Sequence, residues 1–207
     1  MLKKFVLIPI VAILLGGSAT AADFQGGAIV SLVRMTHLNA EMAYQEEVLH
    51  TNLPELHLAW GGEFGVVLSL GNLPIRPSLK AQLLHVSVSG GGETTRVSLT
   101  GLCAGGAFAR GGWQMGAAIH GFRANLSFPL AGYEGLAGWG WGASGCVGYA
   151  FPIFARATFE VSAVLQWLPV SKMTDSFGES YLGRGAPFVD FSGIGVSATL
   201  RWKTSLF

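Results

Sequence analysis

Between Ile153 and Trp167 the chain alternates without a break. The odd positions are Ile153, Ala155, Ala157, Phe159, Val161, Ala163, Leu165 and Trp167. The even positions are Phe154, Arg156, Thr158, Glu160, Ser162, Val164 and Gln166. A β-strand sends successive side chains to opposite faces, so this segment reads as one long strand with an apolar face and a mostly polar face. Globular strands usually run about five or six residues. A tilted strand crossing a bilayer needs about 9–11 residues within the hydrocarbon, and this segment is long enough.

The pattern recurs. Eight strands are predicted, approximately Gly26–Met35, Leu56–Leu70, Pro77–Ser89, Thr95–Ala109, Trp113–Ser127, Gly135–Phe151, Ile153–Leu168 and Val189–Lys203. The connections alternate between long and short. Residues 38–55 and 169–188 are long, whereas Arg110–Gly112 is tight and Pro152 marks a very tight turn. Three strands fit less well. Gly26–Met35 hardly alternates, and the apolar phase slips within Pro77–Ser89 and near His120, which a β-bulge would explain. Ala40–Leu49 lacks Gly and Pro and is expected to form a short helix in the first long loop.

The first residues belong to export rather than to the fold. Lys3 and Lys4 precede the apolar run Phe5–Leu15, and Ala19-Thr20-Ala21 is a small-x-small cleavage site. Residues 1–21 are therefore expected to be a signal peptide, and residues 22–207 one domain. No Cys lies near the cleavage site, which argues against a lipoprotein.

The chain is 50% hydrophobic and 12% charged, and it has no second apolar run long enough for a membrane helix. Removing Lys3 and Lys4 leaves 13 − 2 = 11 Lys and Arg against 12 Asp and Glu. Nothing in that balance suggests a nucleic-acid surface. A soluble β-sandwich also alternates, but its polar face meets water and carries many lysines and glutamates. Here only Lys80, Lys172 and Lys203 remain after the leader, and the polar faces are mostly Gly, Ser and Thr. Such faces suit an enclosed interior.

The six tryptophans, Trp60, Trp113, Trp139, Trp141, Trp167 and Trp202, share the apolar phase of their strands and sit near strand ends. Indoles prefer membrane–water interfaces, so two aromatic girdles are expected. The fold class is therefore an all-β, eight-stranded antiparallel up-and-down transmembrane barrel preceded by a signal peptide. Both termini would face the periplasm and the long loops would lie outside, with most of the acidic residues in the outer loops.

With that architecture the mature chain resembles the small eight-stranded bacterial outer-membrane barrels, of the OmpW, OmpX and OmpA-transmembrane type, with OmpW the preferred likeness. The last strands of these families carry an assembly signal of a glycine followed by alternating apolar residues ending in an aromatic. Gly195, Ala198, Leu200 and Trp202 fit that spacing, and the terminal Phe207 departs from it. The resemblance implies outer-membrane localisation, with outer-membrane lipid and the barrel-assembly machinery as partners. No cofactor is expected, and the scattered histidines offer no paired metal spacing.

An eight-stranded barrel is just wide enough for its own side chains to fill. The inward phase is expected to hold His57, Glu63, Arg96, Ser98, Thr100, Arg156, Thr158, Glu160, Gln166, Thr199 and Arg201. Enclosed charges must pair, so Glu63 and Glu160 are expected to meet Arg96, Arg156 or Arg201. One wall is nearly bare: Gly138, Gly140, Gly142, Ser144, Cys146, Gly148 and Ala150 share the inward face. Facing side chains would fill that space, or it would stay open as a narrow path.

Two functions follow, with a lipid-modifying outer-membrane enzyme a distant third. In the first, the protein is a passive channel or binding barrel for small solutes, apolar ones included. In the second, it is a non-conducting structural or surface-interaction barrel plugged by salt bridges, meeting partners through loops 38–55 and 169–188. Catalysis is not expected. His85-Val86-Ser87 is loosely similar to the His-x-Ser of outer-membrane lipid A deacylases, but Val88 replaces the Asn that follows and no partner acid is identifiable. Gly140-Trp141-Gly142-Ala143-Ser144-Gly145 matches G-x-G-x-x-G without the helix a phosphate site needs. Cys103 and Cys146 are expected on opposite faces and unbridged.

Overall fold

A computed structural model describes residues 21–33, 56–70, 73–90, 93–127, 135–182, 187 and 189–204. Residues 1–20 of the expected leader, the first long loop with its expected helix, and Phe207 lie outside those residues. Eight long strands form the wall: β1 (Ala21–Val33), β2 (His57–Ser69), β3 (Ile75–Gly90), β4 (Glu93–Arg110), β5 (Trp113–Ser127), β6 (Leu136–Phe154), β7 (Ala157–Trp167) and β12 (Gly193–Thr204). Four short strands lie between β7 and β12: β8 (Pro169–Val170), β9 (Lys172–Thr174), β10 (Ser180–Leu182) and β11 (Val189–Asp190).

Each long strand pairs antiparallel with its neighbours, and β1 closes against β12. Following the register around the wall measures the closure. Trp139 faces Arg123, then Thr100, Leu83, Gly62, Ala28, Ala198 and Val161, and the path returns to β6 at Tyr149. The stagger is 149 − 139 = 10 residues. Closure with stagger tilts the strands by about 40° and removes every sheet edge from the wall.

All six tryptophans project outward, each 49–64% exposed. Taking about 3.3 Å rise per residue, about 4.8 Å between strands and about 40° of tilt, they form two groups. Trp60, Trp139, Trp141 and Trp167 circle the loop end, and Trp113 and Trp202 the turn end. The groups lie roughly 23 Å apart along the axis, close to the roughly 25 Å apolar band of a membrane barrel. Between them the exterior carries Phe64, Leu102, Ile119 and Leu165, all exposed.

The structure corrects several sequence expectations. Pro152 does not turn the chain. It stays in β6 beside a register shift between Pro152 and Phe154, and the turn falls at Ala155–Arg156. A bulge tolerates the missing proline N–H, so the strand continues past it. The run from Ile153 to Trp167 is thus shared between two strands.

No bulge shifts β3 or β5: their registers run unbroken through Leu83 and His120. What changes is the polarity of the interior. On β3 the inward face passes from Lys80 and Gln82 to Leu84 and Val86, and on β5 from Gln114 and His120 to Phe122 and Leu126. β1 behaves alike, running from buried Asp23 and Gln25 to Ile29 and Val33. Its apparent lack of alternation has the same cause.

Candidate functional site

The lumen is divided into two levels. Near the turn end it is polar and cross-linked. Arg201 of β12 donates through Nη2 to Glu160 Oε2 on β7 at 2.7 Å and to Gln114 Oε1 on β5 at 3.1 Å. Because β5 stands three strands round the wall from β12, this guanidinium reaches across the lumen. Ser162 donates to Glu160 Oε1 at 3.1 Å, and Gln25 Nε2 donates to Thr199 Oγ1 at 2.7 Å. Further along, Lys80 pairs with Glu63 at 2.7 Å, and His120 Nε2 is joined to Ser144 Oγ at 2.8 Å. These groups surround a chamber of about 90 Å³. By the space one water occupies, that is room for a handful of water molecules.

Toward the loop end the lumen is apolar. Val86, Leu84, Val97, Leu99, Phe122 and Leu126 from the wall are almost wholly buried. They meet the segment that follows β7, which folds back into the mouth and buries Leu168, Val170, Met173, Val189 and Phe191 completely. The bare wall of β6 is the seat of this segment. A Cβ on Gly140 would lie 2.5 Å from the Phe122 ring and 2.7 Å from the Pro169 carbonyl oxygen. One on Gly138 would be 2.7 Å from Val170 Cγ1, and one on Gly142 would strike the Trp167 carbonyl and Leu168. The segment is tied down by polar contacts too. Gln166 Nε2 donates to the Phe191 carbonyl at 2.9 Å, and the Leu168 N–H donates to Ser192 Oγ at 2.9 Å.

Of the residues expected in the lumen, Glu63, Glu160, Gln166, Thr199 and Arg201 point inward and join these contacts. His57 is buried near the mouth. Gly138, Gly140, Gly142, Ser144 and Cys146 share the inward face, covered by the returning segment or lining the chamber. Arg96, Ser98 and Thr100 were placed on the wrong face. β4 turns Val97, Leu99 and Cys103 inward, so these three project outside. Arg156 sits exposed in the β6–β7 turn. Of the expected ion pairs, Glu160–Arg201 forms, whereas Glu63 takes Lys80. Lys80, Gln114 and His120 escape the sequence reading because the phase of their strands is not legible, and Gln25 because β1 begins five residues before the predicted Gly26.

Cys103 and Cys146 are both free and both face inward, contrary to the expectation of opposite faces. They still stand apart. Cys103 is level with His120 of β5 and Cys146 with Gly116, four residues along that strand, or about 13 Å. A disulfide needs Cα atoms within about 7 Å. Intact-mass analysis after alkylation in denaturant is expected to show two alkylated thiols without prior reduction. Alkylation of the folded protein is expected to be slow at Cys103, which is 6% exposed.

Solved structures with the same chain path decide what this architecture is. The fold is that of a small outer-membrane β-barrel. Neisserial surface protein A is 12% identical with a TM-score of 0.51, over 90% of this chain and 99% of that one. A major outer-membrane protein of Thermus thermophilus is 12% identical with a TM-score of 0.52, over 89% and 100%. No family model and no curated protein matches the chain, so the preference for OmpW within this barrel type has no match behind it.

Proposed function

We propose that the chain is an integral protein of the bacterial outer membrane, exported through the periplasm, with the loop end facing out. The roughly 23 Å between its tryptophan groups and the greasy surface between them support that placement. The barrel is closed to solutes and serves as a structural or surface-interaction protein. It is neither a channel nor an enzyme. One observation carries this reading: the lumen is filled at the loop end by apolar side chains from the wall and from the returning segment. An apolar layer that fills the lumen opposes the passage of ions and polar solutes, because a charge moved into it loses its hydration without compensation.

The loop end also offers a contact surface. Asp175 Oδ1 accepts the Phe177 and Glu179 N–H groups at 2.9 and 2.8 Å, and Gly178 adopts φ 86° to close the turn. This shaped turn presents Phe177 82% exposed. A large aromatic held outward on an ordered turn suits partner binding better than transport.

Planar-bilayer recording tests the closed state. The refolded wild type is expected to be silent across the usual voltage range. Discrete, reproducible conductance steps would overturn the reading and restore the channel.

A further inference from the structure

The outer face of the wall is apolar almost everywhere, with one exception at the loop end of β3, β4 and β5. There Arg96 lies between Ser87 and Ser127, and the row beneath sets Ser98 between His85 and Asn125. One row lower, Thr100 stands beside Arg123, which neighbours Trp139 of the girdle. Immediately below, the exterior turns apolar again, with Leu102 and Trp141 exposed. The rows thus lie at and just above the tryptophan level, the depth of headgroups rather than acyl chains.

Both arginines are exposed, and neither has an ion-pair partner among the described residues. They open onto a cleft of about 580 Å³, walled on its far side by Thr174, Asp175 and Ser176. Among the described residues that line it, Asp175 is the one carboxylate, and its Oδ1 accepts two backbone N–H groups. His85 also borders the cleft, with its ring 5.4 Å from that of Trp60.

We infer that this cleft binds the phosphate groups of a lipid headgroup in the leaflet at the loop end, with the acyl chains lying along the apolar wall below. The inference rests on the membrane placement proposed above. Two guanidiniums surrounded by hydroxyl and amide donors match a phosphate, which accepts several charge-assisted hydrogen bonds at once. The adjoining greasy strip is what selects a lipid over a free anion.

The test uses the full mature chain folded in neutral detergent, with bis-phosphorylated lipid A as the probe. Wild type is expected to bind it at least about tenfold more tightly than the Arg96→Gln/Arg123→Gln variant, and more tightly than dephosphorylated lipid A by a similar factor. Excess inorganic phosphate is expected not to displace it. Both substitutions face outward, so folding is retained and is verified by heat-modifiable gel mobility. Equal binding by the variant, or equal binding of the dephosphorylated lipid, overturns the inference, as does displacement by inorganic phosphate. Flotation with phosphatidylcholine vesicles separates two failures. A chain that does not float defeats the membrane placement itself, whereas one that floats but ignores the phosphates defeats only this site.

Discussion

Gly142→Leu is expected to destabilise the barrel by about 3 kcal/mol or to abolish its folding, at the upper end of the usual cost of overpacking. The reason is the seat described above. A side chain here runs into the Trp167 carbonyl and Leu168, where the chain leaves β7 and enters the mouth. Backbone cannot yield as a flexible side-chain tip would, so the returning segment must lift. Lifting it exposes Leu168, Val170 and Met173, which are 0% accessible in the native fold. Gly145→Leu is the matched control on the same strand. Its Cβ faces outward, with nothing nearer than the Gly116 carbonyl oxygen at 3.8 Å. It is expected to change stability by less than about 1 kcal/mol, as surface changes away from special features do. Denaturant unfolding in lipid or detergent reads both. Similar curves for the two variants would show that the bare wall is not a seat.

The second large effect is electrostatic. Glu160→Ala is expected to cost about 3–5 kcal/mol, the range for removing one partner of a buried ion pair. Arg201 has a side chain only 4% exposed, and without Glu160 its one remaining hydrogen bond among the described residues is to the neutral Gln114. Replacing both Glu160 and Arg201 with methionine is expected to recover most of the loss, because the cost lies in the stranded charge rather than in the missing attraction. Glu63→Ala should cost less, since the Lys80 side chain is 18% exposed and retains some access to water. A Glu160→Ala variant as stable as wild type would mean that the pair does not organise the lumen.

How far the sequence could be read depended on position along the barrel axis. In β7 the inward set Glu160, Ser162 and Gln166 was legible, because lipid outside and polar lumen inside make polarity a true label of face. The outward tryptophans and the inward glycines of β6 were legible for the same reason. On β3, β4 and β5 that label fails near the loop end. There the lumen is apolar and the exterior meets headgroups and water, so Val97 and Leu99 point in while Arg96 and Ser98 point out. Polarity alone assigns those residues to the wrong sides, which is how Arg96, Ser98, Thr100 and Cys103 were misplaced. An inverted phase within an unbroken strand also looks the same as a bulge. Whether the glycine wall stayed open or was filled lay beyond local pattern too, because what fills it comes from residues some thirty positions later.

The sequence alone determined that long amphipathic strands close into a barrel with its indoles outward, since alternation is set by backbone geometry and needs no partner to be visible. Only the tertiary structure decided which side chains meet across the lumen. Closure with a stagger of ten residues brings Arg201 to Gln114 and folds the segment after β7 onto the glycines of β6. Contacts between distant strands depend on that register, and no single strand encodes it.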